Sequence, residues 1–66
     1  MNFRYYVYGV LSDGEFEFIT TELAEDRAVD FATRHKIAFG DRYIQYSVMT
    51  MNSTTTGPEV LEICRV

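Results

Sequence analysis

The stretch that decides the fold is residues 3–20, FRYYVYGVLSDGEFEFIT. Its first nine residues are rich in aromatic and β-branched side chains, which favour a strand. Asp13-Gly14 follows, and this pair is preferred in two-residue type I′ hairpin turns. We therefore predict two antiparallel strands with Asp13 and Gly14 at the tip. The expected pairs are Ser12–Glu15, Leu11–Phe16, Gly9–Phe18 and Val7–Thr20, and Phe18 would cover the backbone of Gly9.

Alternation of side chains along the strands predicts two different faces for this hairpin. One face is predicted to carry Phe3, Tyr5, Val7, Leu11, Phe16 and Phe18. The other is predicted to carry Arg4, Tyr6, Tyr8, Val10, Glu15, Glu17 and Ile19. The second face is more aromatic than contact with solvent requires.

A helix is predicted after Thr20, because the apolar spacing changes there from two to between three and four residues. The residues on its apolar stripe are Ala24, Ala28, Phe31, Ala32 and His35. We expect about four turns, with Thr20 or Thr21 as N-cap and Gly40 at the end. Ile37 and Phe39 indicate that the segment after the stripe still covers the core.

The rest of the chain predicts two more strands. The third strand is predicted over residues 42–51 (RYIQYSVMTM). A polar loop follows over residues 52–58 (NSTTTGP), and the fourth strand is predicted over residues 59–66 (EVLEICRV). In the third strand Ile44, Tyr46 and Val48 are predicted to face the core, and the side chains between them to face away.

The order β-β-α-β-β predicts an α+β fold in one domain, residues 1–66. A right-handed crossover through the helix places the third strand beside the first. The result is a four-stranded antiparallel sheet in the order 2-1-3-4 with one helix on one face.

Length and composition exclude several function classes. A chain of 66 residues buries only about 60% of its unfolded surface, so it needs dense apolar packing or a second chain. One Cys cannot form an intramolecular disulfide, and one His with one Cys cannot supply the four ligands of a structural zinc site. We expect His35 to be a hydrogen-bonded core residue and Cys64 a small buried hydrophobe. No enzyme, cofactor or metal is predicted.

The negative charge is concentrated in residues 13–30, where seven acids stand against one arginine, a net of −6 in a chain of −4. The seven acids are Asp13, Glu15, Glu17, Glu22, Glu25, Asp26 and Asp30. On the predicted helix Glu22, Asp26 and Asp30 form an i,i+4 ladder, and Arg27 and Arg34 can each pair with Asp30. This surface is either a solvated face or a binding surface for a basic region of a partner.

One helix leaves the other sheet face open, and this face is the second unusual surface. Its predicted apolar patch consists of Tyr6, Tyr8, Val10, Ile19, Tyr43 and Met49. Such patches mark interfaces, and tyrosine is favoured in them. The alternative is that the third and fourth strands curl over and bury it. A stacking platform for nucleic acid is disfavoured, because the chain is acidic and has a single lysine.

No apolar run approaches the roughly 20 residues that span a bilayer. The start of the chain also lacks a basic region followed by an apolar stretch, as a secretory signal would have. We therefore expect a cytoplasmic protein that does not bind membranes.

The chain resembles the small host RNA-polymerase inhibitor made by podophages. The resemblance lies in a hairpin with Phe16-Glu17-Phe18, an acidic helix with Ala28-Val29-Asp30-Phe31-Ala32 and one further strand. It covers roughly residues 3–50, and the present chain departs from it by adding a loop and a fourth strand. The resemblance implies a viral protein that inhibits a host machine, as anti-CRISPR proteins do, in the host cytoplasm.

Two functional hypotheses follow. In the first, a non-enzymatic inhibitor binds a basic surface of a host protein through the seven acids, with Tyr6, Tyr8 and Tyr43 as anchors. In the second, the tyrosine-rich face forms a homodimer and the acids keep the protein in solution. Binding to single-stranded nucleic acid is a third and weaker interpretation.

Overall fold

The computed structural model describes residues 4–66, without the side chains of residues 52–54. Its elements are β1 (Tyr5–Val10), β2 (Phe16–Glu22), α1 (Glu25–Phe39), β3 (Gln45–Thr54) and β4 (Gly57–Arg65). The strands form one antiparallel sheet in the order β2-β1-β3-β4. The predicted α+β fold and strand order are therefore confirmed, while Phe3, assigned to the first strand, lies outside the described residues.

The β1–β2 hairpin has a three-residue loop, so the predicted two-residue turn is wrong. Gly14 N donates to Leu11 O at 2.9 Å, and Leu11 N donates to Glu15 O at 2.9 Å. Gly14 has φ +89°, the left-handed conformation that closes a three-residue loop. Asp13 Oδ1 also accepts a hydrogen bond from Glu15 N at 2.9 Å, which holds the loop in shape.

This loop moves the register of β2 by one residue beside the tip. The observed pairs are Val10–Phe16, Gly9–Glu17 and Tyr8–Phe18, followed by a bulge at Ile19 that returns to the predicted pair Val7–Thr20. A slip of one residue moves each side chain to the opposite face. Phe16 and Phe18 therefore lie on the side without the helix, and Glu17 lies on the helix side, the reverse of the prediction.

Helix α1 begins later than predicted, because residues 20–22 pair with β1 as part of β2. The N-cap is Ala24, whose carbonyl accepts from Ala28 N at 3.1 Å, and no side chain caps this end. Thr20 and Thr21 are thus not the cap, and Glu22 does not belong to a helical charge ladder. The helix ends as predicted, with Gly40 as its C-cap.

The helix packs on the sheet through its alanine stripe. Ala28 and Ala32 are completely buried, so the helix lies close to the strands. The end of the helix does not cover the core as predicted, because Ile37 is 82% exposed and Phe39 is also exposed.

Strands β3 and β4 form a hairpin that leaves only residues 55–56 for the turn, so the predicted loop over residues 52–58 is wrong. β3 starts at Gln45 rather than at residue 42. Tyr46 and Val48 are fully buried as predicted, but Ile44 precedes the strand and is exposed.

The core lies between α1 and the sheet and contains Val7, Ala28, Ala32, Tyr43, Tyr46 and Val48. Tyr43 was predicted on the open face but is only 7% exposed, because its ring lies flat against Gly9. A Cβ atom at Gly9 would be 2.4 Å from the nearest ring carbon of Tyr43. Tyr43, not Phe18, thus covers this glycine. Ile19, also predicted on the open face, packs against the core instead.

Candidate functional site

The side of the sheet opposite α1 carries an apolar surface that we call the aromatic sheet face. Its members are Tyr6, Tyr8, Phe16, Phe18, Met49, Met51 and Val60. The strand register positions them: Tyr8 lies across from Phe18, Tyr6 across from Met49, and Met51 across from Val60. The members therefore form a band that runs from one edge strand, β2, diagonally to the other, β4.

The rings at the β2 end of this face support each other but stay accessible. The ring centroid of Tyr8 lies 5.8 Å from that of Phe18, at an interplanar angle of 69°, and 6.3 Å from that of Phe16. Edge-on packing of this kind is favourable for aromatic pairs. Phe18 is nevertheless 55% exposed, and Val60 at the other end of the band is 60% exposed.

A shallow pocket interrupts the band near its centre. Its volume is about 130 Å³, and its lining is Tyr6, Tyr8, Met49, Thr50, Met51 and Val60. The face is therefore not flat, and the pocket can accept one apolar side chain of a partner.

Polar groups on the same side of the sheet are paired among themselves beside the band. Buried Ser47 donates through Oγ to Glu62 Oε2 at 2.5 Å, and Arg65 Nε donates to both Glu62 oxygens at 2.9 Å. Arg65 Nη1 donates to Gln45 Oε1 at 3.0 Å. The bonds from Ser47 and then Arg65 lower the pKa of Glu62, so this corner is ionised and internally neutral.

Both edges of the sheet carry features that oppose the addition of another strand. β2 is bulged at Ile19, and β4 is bulged at Ile63, between the pairs Val48–Cys64 and Met49–Glu62. β4 also contains Pro58, which has no N–H to donate. Because bulges and proline protect sheet edges, the face rather than an edge is the candidate surface.

The seven acids singled out in the sequence do not gather into one surface. Asp13 and Glu15 are exposed at the β1–β2 tip, whereas Glu22 lies at the far end of β2, about 23 Å away along the strand at about 3.3 Å per residue. Glu25 and Asp26 lie in the first turn of α1. Asp30 pairs with Arg34 at 3.0 Å, as predicted.

Glu17, the remaining acid, is held in a network that the sequence did not indicate. Arg42 Nη2 donates to its two carboxylate oxygens at 2.8 and 2.9 Å, and Tyr43 O–H donates to Oε1 at 2.5 Å. The bonds from Tyr43 and Arg42 lower the pKa of Glu17. The partners are 25 and 26 residues away in sequence, so no local pattern could have identified them.

A second ring cluster surrounds His35 on the helix side. Its Nδ1 lies 2.6 Å from the hydroxyl of Tyr46, and the centroid of its ring lies 4.7 Å from that of Phe39. Burial raises the pKa of Tyr46. His35 is thus half-buried and hydrogen-bonded, as expected. An open pocket of about 410 Å³ lies beside it, lined by His35, Ala38, Phe39, Asp41, Arg42 and Tyr43.

The Cys64 thiol lies on the helix side of β4, where it packs partly buried against the core. Burial, with smaller contributions from Glu25 and Glu62, raises the pKa of the Cys64 thiol and so disfavours the thiolate. In the described part of the chain, no three His, Cys, Asp or Glu side chains are grouped to hold a metal ion. Among residues 4–66, no helix is long and apolar enough to cross a membrane.

Of the three tyrosines predicted as anchors, the structure places two on the aromatic sheet face. Tyr6 and Tyr8 are half-buried there, and Tyr43 is buried under the helix. Sequence reasoning missed Phe16, Phe18 and Val60, since the predicted register put both phenylalanines on the core side.

Comparison of the chain with protein-family models, with curated proteins and with solved structures finds no match.

Proposed function

We propose that this protein is a non-enzymatic interaction protein that binds another protein chain through the aromatic sheet face. The observation that carries the proposal is the band of seven large apolar side chains on the sheet side that α1 does not cover. Exposed apolar patches of this kind mark binding surfaces.

Burial of the two phenylalanines would supply part of the binding energy. A Phe side chain buries about 200 Å², so covering the exposed half of Phe16 and of Phe18 removes about 100 Å² each from water. At about 25 cal/mol per Å² this is about 2.5 kcal/mol for each ring. Met51 and Val60 add smaller amounts. The total only offsets the lower range of what association costs, about 4–15 kcal/mol, so the remaining contacts of the face must supply the net affinity.

The side chains that could act as a base, a nucleophile or an acid are engaged in other contacts or not ionised, which also supports interaction rather than catalysis. His35 uses Nδ1 in its bond with buried Tyr46, and the Cys64 thiol is shifted away from ionisation. Glu17 and Glu62 are each bound by an arginine and a hydroxyl group, so neither is available as a proton donor near neutral pH.

The acids have a narrower role in this proposal than the sequence predicted. Asp13 and Glu15 are exposed at the hairpin tip, next to the Phe16 end of the band. There they can steer a partner whose apolar patch has a basic border. Both partners expected from the sequence, a host protein with a basic surface and a second copy of this chain, would use this face. In the first case the protein acts as an inhibitor.

The test compares two lysine substitutions in a capture experiment. Phe18→Lys puts a charge on the aromatic sheet face, and Ile37→Lys makes a matched change on the outer surface of α1, where the side chain is 82% exposed. Circular dichroism checks that both variants fold. We expect a partner, from a bacterial lysate or as a second copy, to bind the wild type and Ile37→Lys but not Phe18→Lys.

The proposal is wrong if the wild type stays monomeric and every captured protein also binds Phe18→Lys. A charge reversal at the tip, Asp13→Lys with Glu15→Lys, tests the steering role. It should slow association and leave the dissociation rate nearly unchanged.

A further inference from the structure

We infer that the open pocket beside His35 binds the guanidinium group of an arginine side chain that a partner protein supplies. The pocket lies at the end of α1, on the helix side of the sheet, so the inference does not depend on the aromatic sheet face. Three features point to this group: the ring walls of the pocket, an uncompensated carboxylate and the position of the helix end.

The walls of the pocket are aromatic. His35, Phe39 and Tyr43 supply the rings, and the ring centroid of His35 lies 4.7 Å from that of Phe39 and 6.1 Å from that of Tyr43. Phe39 is 60% exposed, so its ring is accessible to a ligand. The guanidinium carbon of Arg42 already lies 5.5 Å from the centre of the Tyr43 ring, within the range of cation–π contacts. A second planar guanidinium can stack on the ring of Phe39.

Asp41 gives the pocket a negative charge that no neighbour balances. Arg42, the cation in the lining, is compensated by Glu17, whose two carboxylate oxygens accept from Nη2 at 2.8 and 2.9 Å. Asp41 is exposed and has no ion-pair partner among the described residues. Because a carboxylate and a guanidinium can form two parallel hydrogen bonds, Asp41 suits an arginine better than a lysine.

The end of α1 adds to the negative potential of the pocket. The helix ends at Phe39, with Gly40 as its C-cap, so its carbonyl end borders the pocket. This end of a helix carries a partial negative charge, which favours a bound cation. Lys36, the basic residue of the last turn, is not among the residues that line the pocket.

The shape and surroundings of the pocket favour an arginine that belongs to a protein. The pocket is open and has a volume of about 410 Å³, so it holds the end of a ligand, whereas sites for free small molecules enclose most of the ligand. It lies near the β1–β2 tip, because Ile44, which follows the pocket residue Tyr43, donates through N to Val10 O at 2.8 Å. The exposed Asp13 and Glu15 of that tip can attract a basic surface around the arginine.

An NMR titration with short peptides tests the inference. The peptides carry one variable residue between glycines and serines: arginine, lysine or citrulline, the neutral isostere of arginine. We expect the arginine peptide to shift the backbone resonances of Phe39, Asp41 and Tyr43. The lysine peptide should bind more weakly, because an ammonium group holds its water more strongly, and the citrulline peptide should not bind. Free guanidinium ion should also bind more weakly, because it lacks the apolar stem that can pack on the rings.

Two variants locate the site. Phe39→Leu and Asp41→Asn should each raise the dissociation constant of the arginine peptide about two- to fivefold, the effect of one cation–π contact or ion pair at an exposed position. The matched controls Ile37→Leu and Asp26→Asn should leave it unchanged. All four side chains are exposed, so the fold is expected to tolerate the substitutions, and circular dichroism checks this.

Equal binding of the arginine and citrulline peptides would overturn the inference, because the charge would then not be recognised. Equal binding of the lysine peptide would overturn the assignment to a guanidinium group, and equal binding of free guanidinium ion would overturn a protein as its source. Unchanged affinity in both pocket variants would overturn the site. Phe18→Lys should bind the arginine peptide as the wild type does, so failure of this inference and failure of the proposed function are distinguishable.

Discussion

Replacing Gly9 with alanine is predicted to destabilise the fold, because the ring of Tyr43 occupies the space of the added methyl group. The new Cβ would lie 2.4–2.6 Å from three ring carbons, whereas carbon atoms in contact are about 3.5–4.0 Å apart. The ring would have to move by about 1 Å. Tyr43 is 7% exposed and packs against Tyr46 at a centroid distance of 5.3 Å, so there is little room for this movement.

The expected size follows from two opposing effects. Overpacking of this kind costs about 1–3 kcal/mol, and the displaced Tyr43 also loses its hydrogen bond to Glu17. Replacing the glycine also reduces the conformational entropy of the unfolded chain, which stabilises the folded state by about 0.4–1 kcal/mol. We expect a net loss of about 2 kcal/mol, which lowers Tm by roughly 8–16 °C in a domain of this size. The total stability of such a chain is roughly 3–10 kcal/mol, so the change is easily measured.

Urea unfolding followed by circular dichroism gives the free energies of a double-mutant cycle. Gly9→Ala should be costly in the wild type and nearly neutral in Tyr43→Ala, where the ring is gone. The coupling free energy should be about 2 kcal/mol. An unchanged or higher urea midpoint for Gly9→Ala, or an equal cost in both backgrounds, would refute the proposed contact.

Three further predictions test the polar network, the buried tyrosine and the helix contact. Glu17→Gln should have a lower urea midpoint than the wild type at neutral pH. Because the fold lowers the pKa of Glu17 from its ordinary 4.5, this difference in midpoint should disappear as the pH falls below that value. The control Glu15→Gln should show no such difference. Absorbance titration should contain a tyrosine ionisation above pH 10 that is missing in Tyr46→Phe, since burial raises the pKa of Tyr46, and stability should fall as the pH rises through that range. Ala28→Leu should cost about 1–3 kcal/mol by thermal unfolding because the site is completely buried, whereas Ala38→Leu, at an exposed helix position, should change stability by less than about 0.5 kcal/mol.

The order and arrangement of the elements could be predicted because they depend on periodicity and chain handedness. A period of two in residues 3–20 and an alanine-spaced helix after it give β-β-α, and the right-handed crossover then places β3 beside β1. These are properties of whole segments. An error of one or two residues in a boundary does not change them.

The register of the first hairpin could not be predicted, because Asp13-Gly14 suits more than one loop. A glycine with positive φ closes either a two-residue turn or a three-residue loop, and the sequence gives no reason to choose between them. The choice moves Phe16, Glu17 and Phe18 to opposite faces. A small local ambiguity thus decides the composition of the candidate binding surface.

Tyr43 shows the limit of reading faces from alternation. It lies outside β3, so the period of that strand says nothing about its direction. Its position depends on the bare backbone at Gly9 and on the carboxylate of Glu17, both more than 20 residues away. Only the folded chain brings these groups together, and a tyrosine predicted for the interface therefore proved to be part of the core.

The arrangement of β2 gives a final argument for a partner on the aromatic sheet face. The three-residue loop places a carboxylate, Glu17, on the helix side and two phenylalanines on the open side, which is unfavourable for an isolated domain. On the helix side Arg42 and Tyr43 compensate the carboxylate. On the open side Tyr8 covers only part of the two rings, and among the described residues no other element covers them. The alternative register would have placed both rings on the helix side, and under the proposed function burial of the rings against a partner compensates for the observed one.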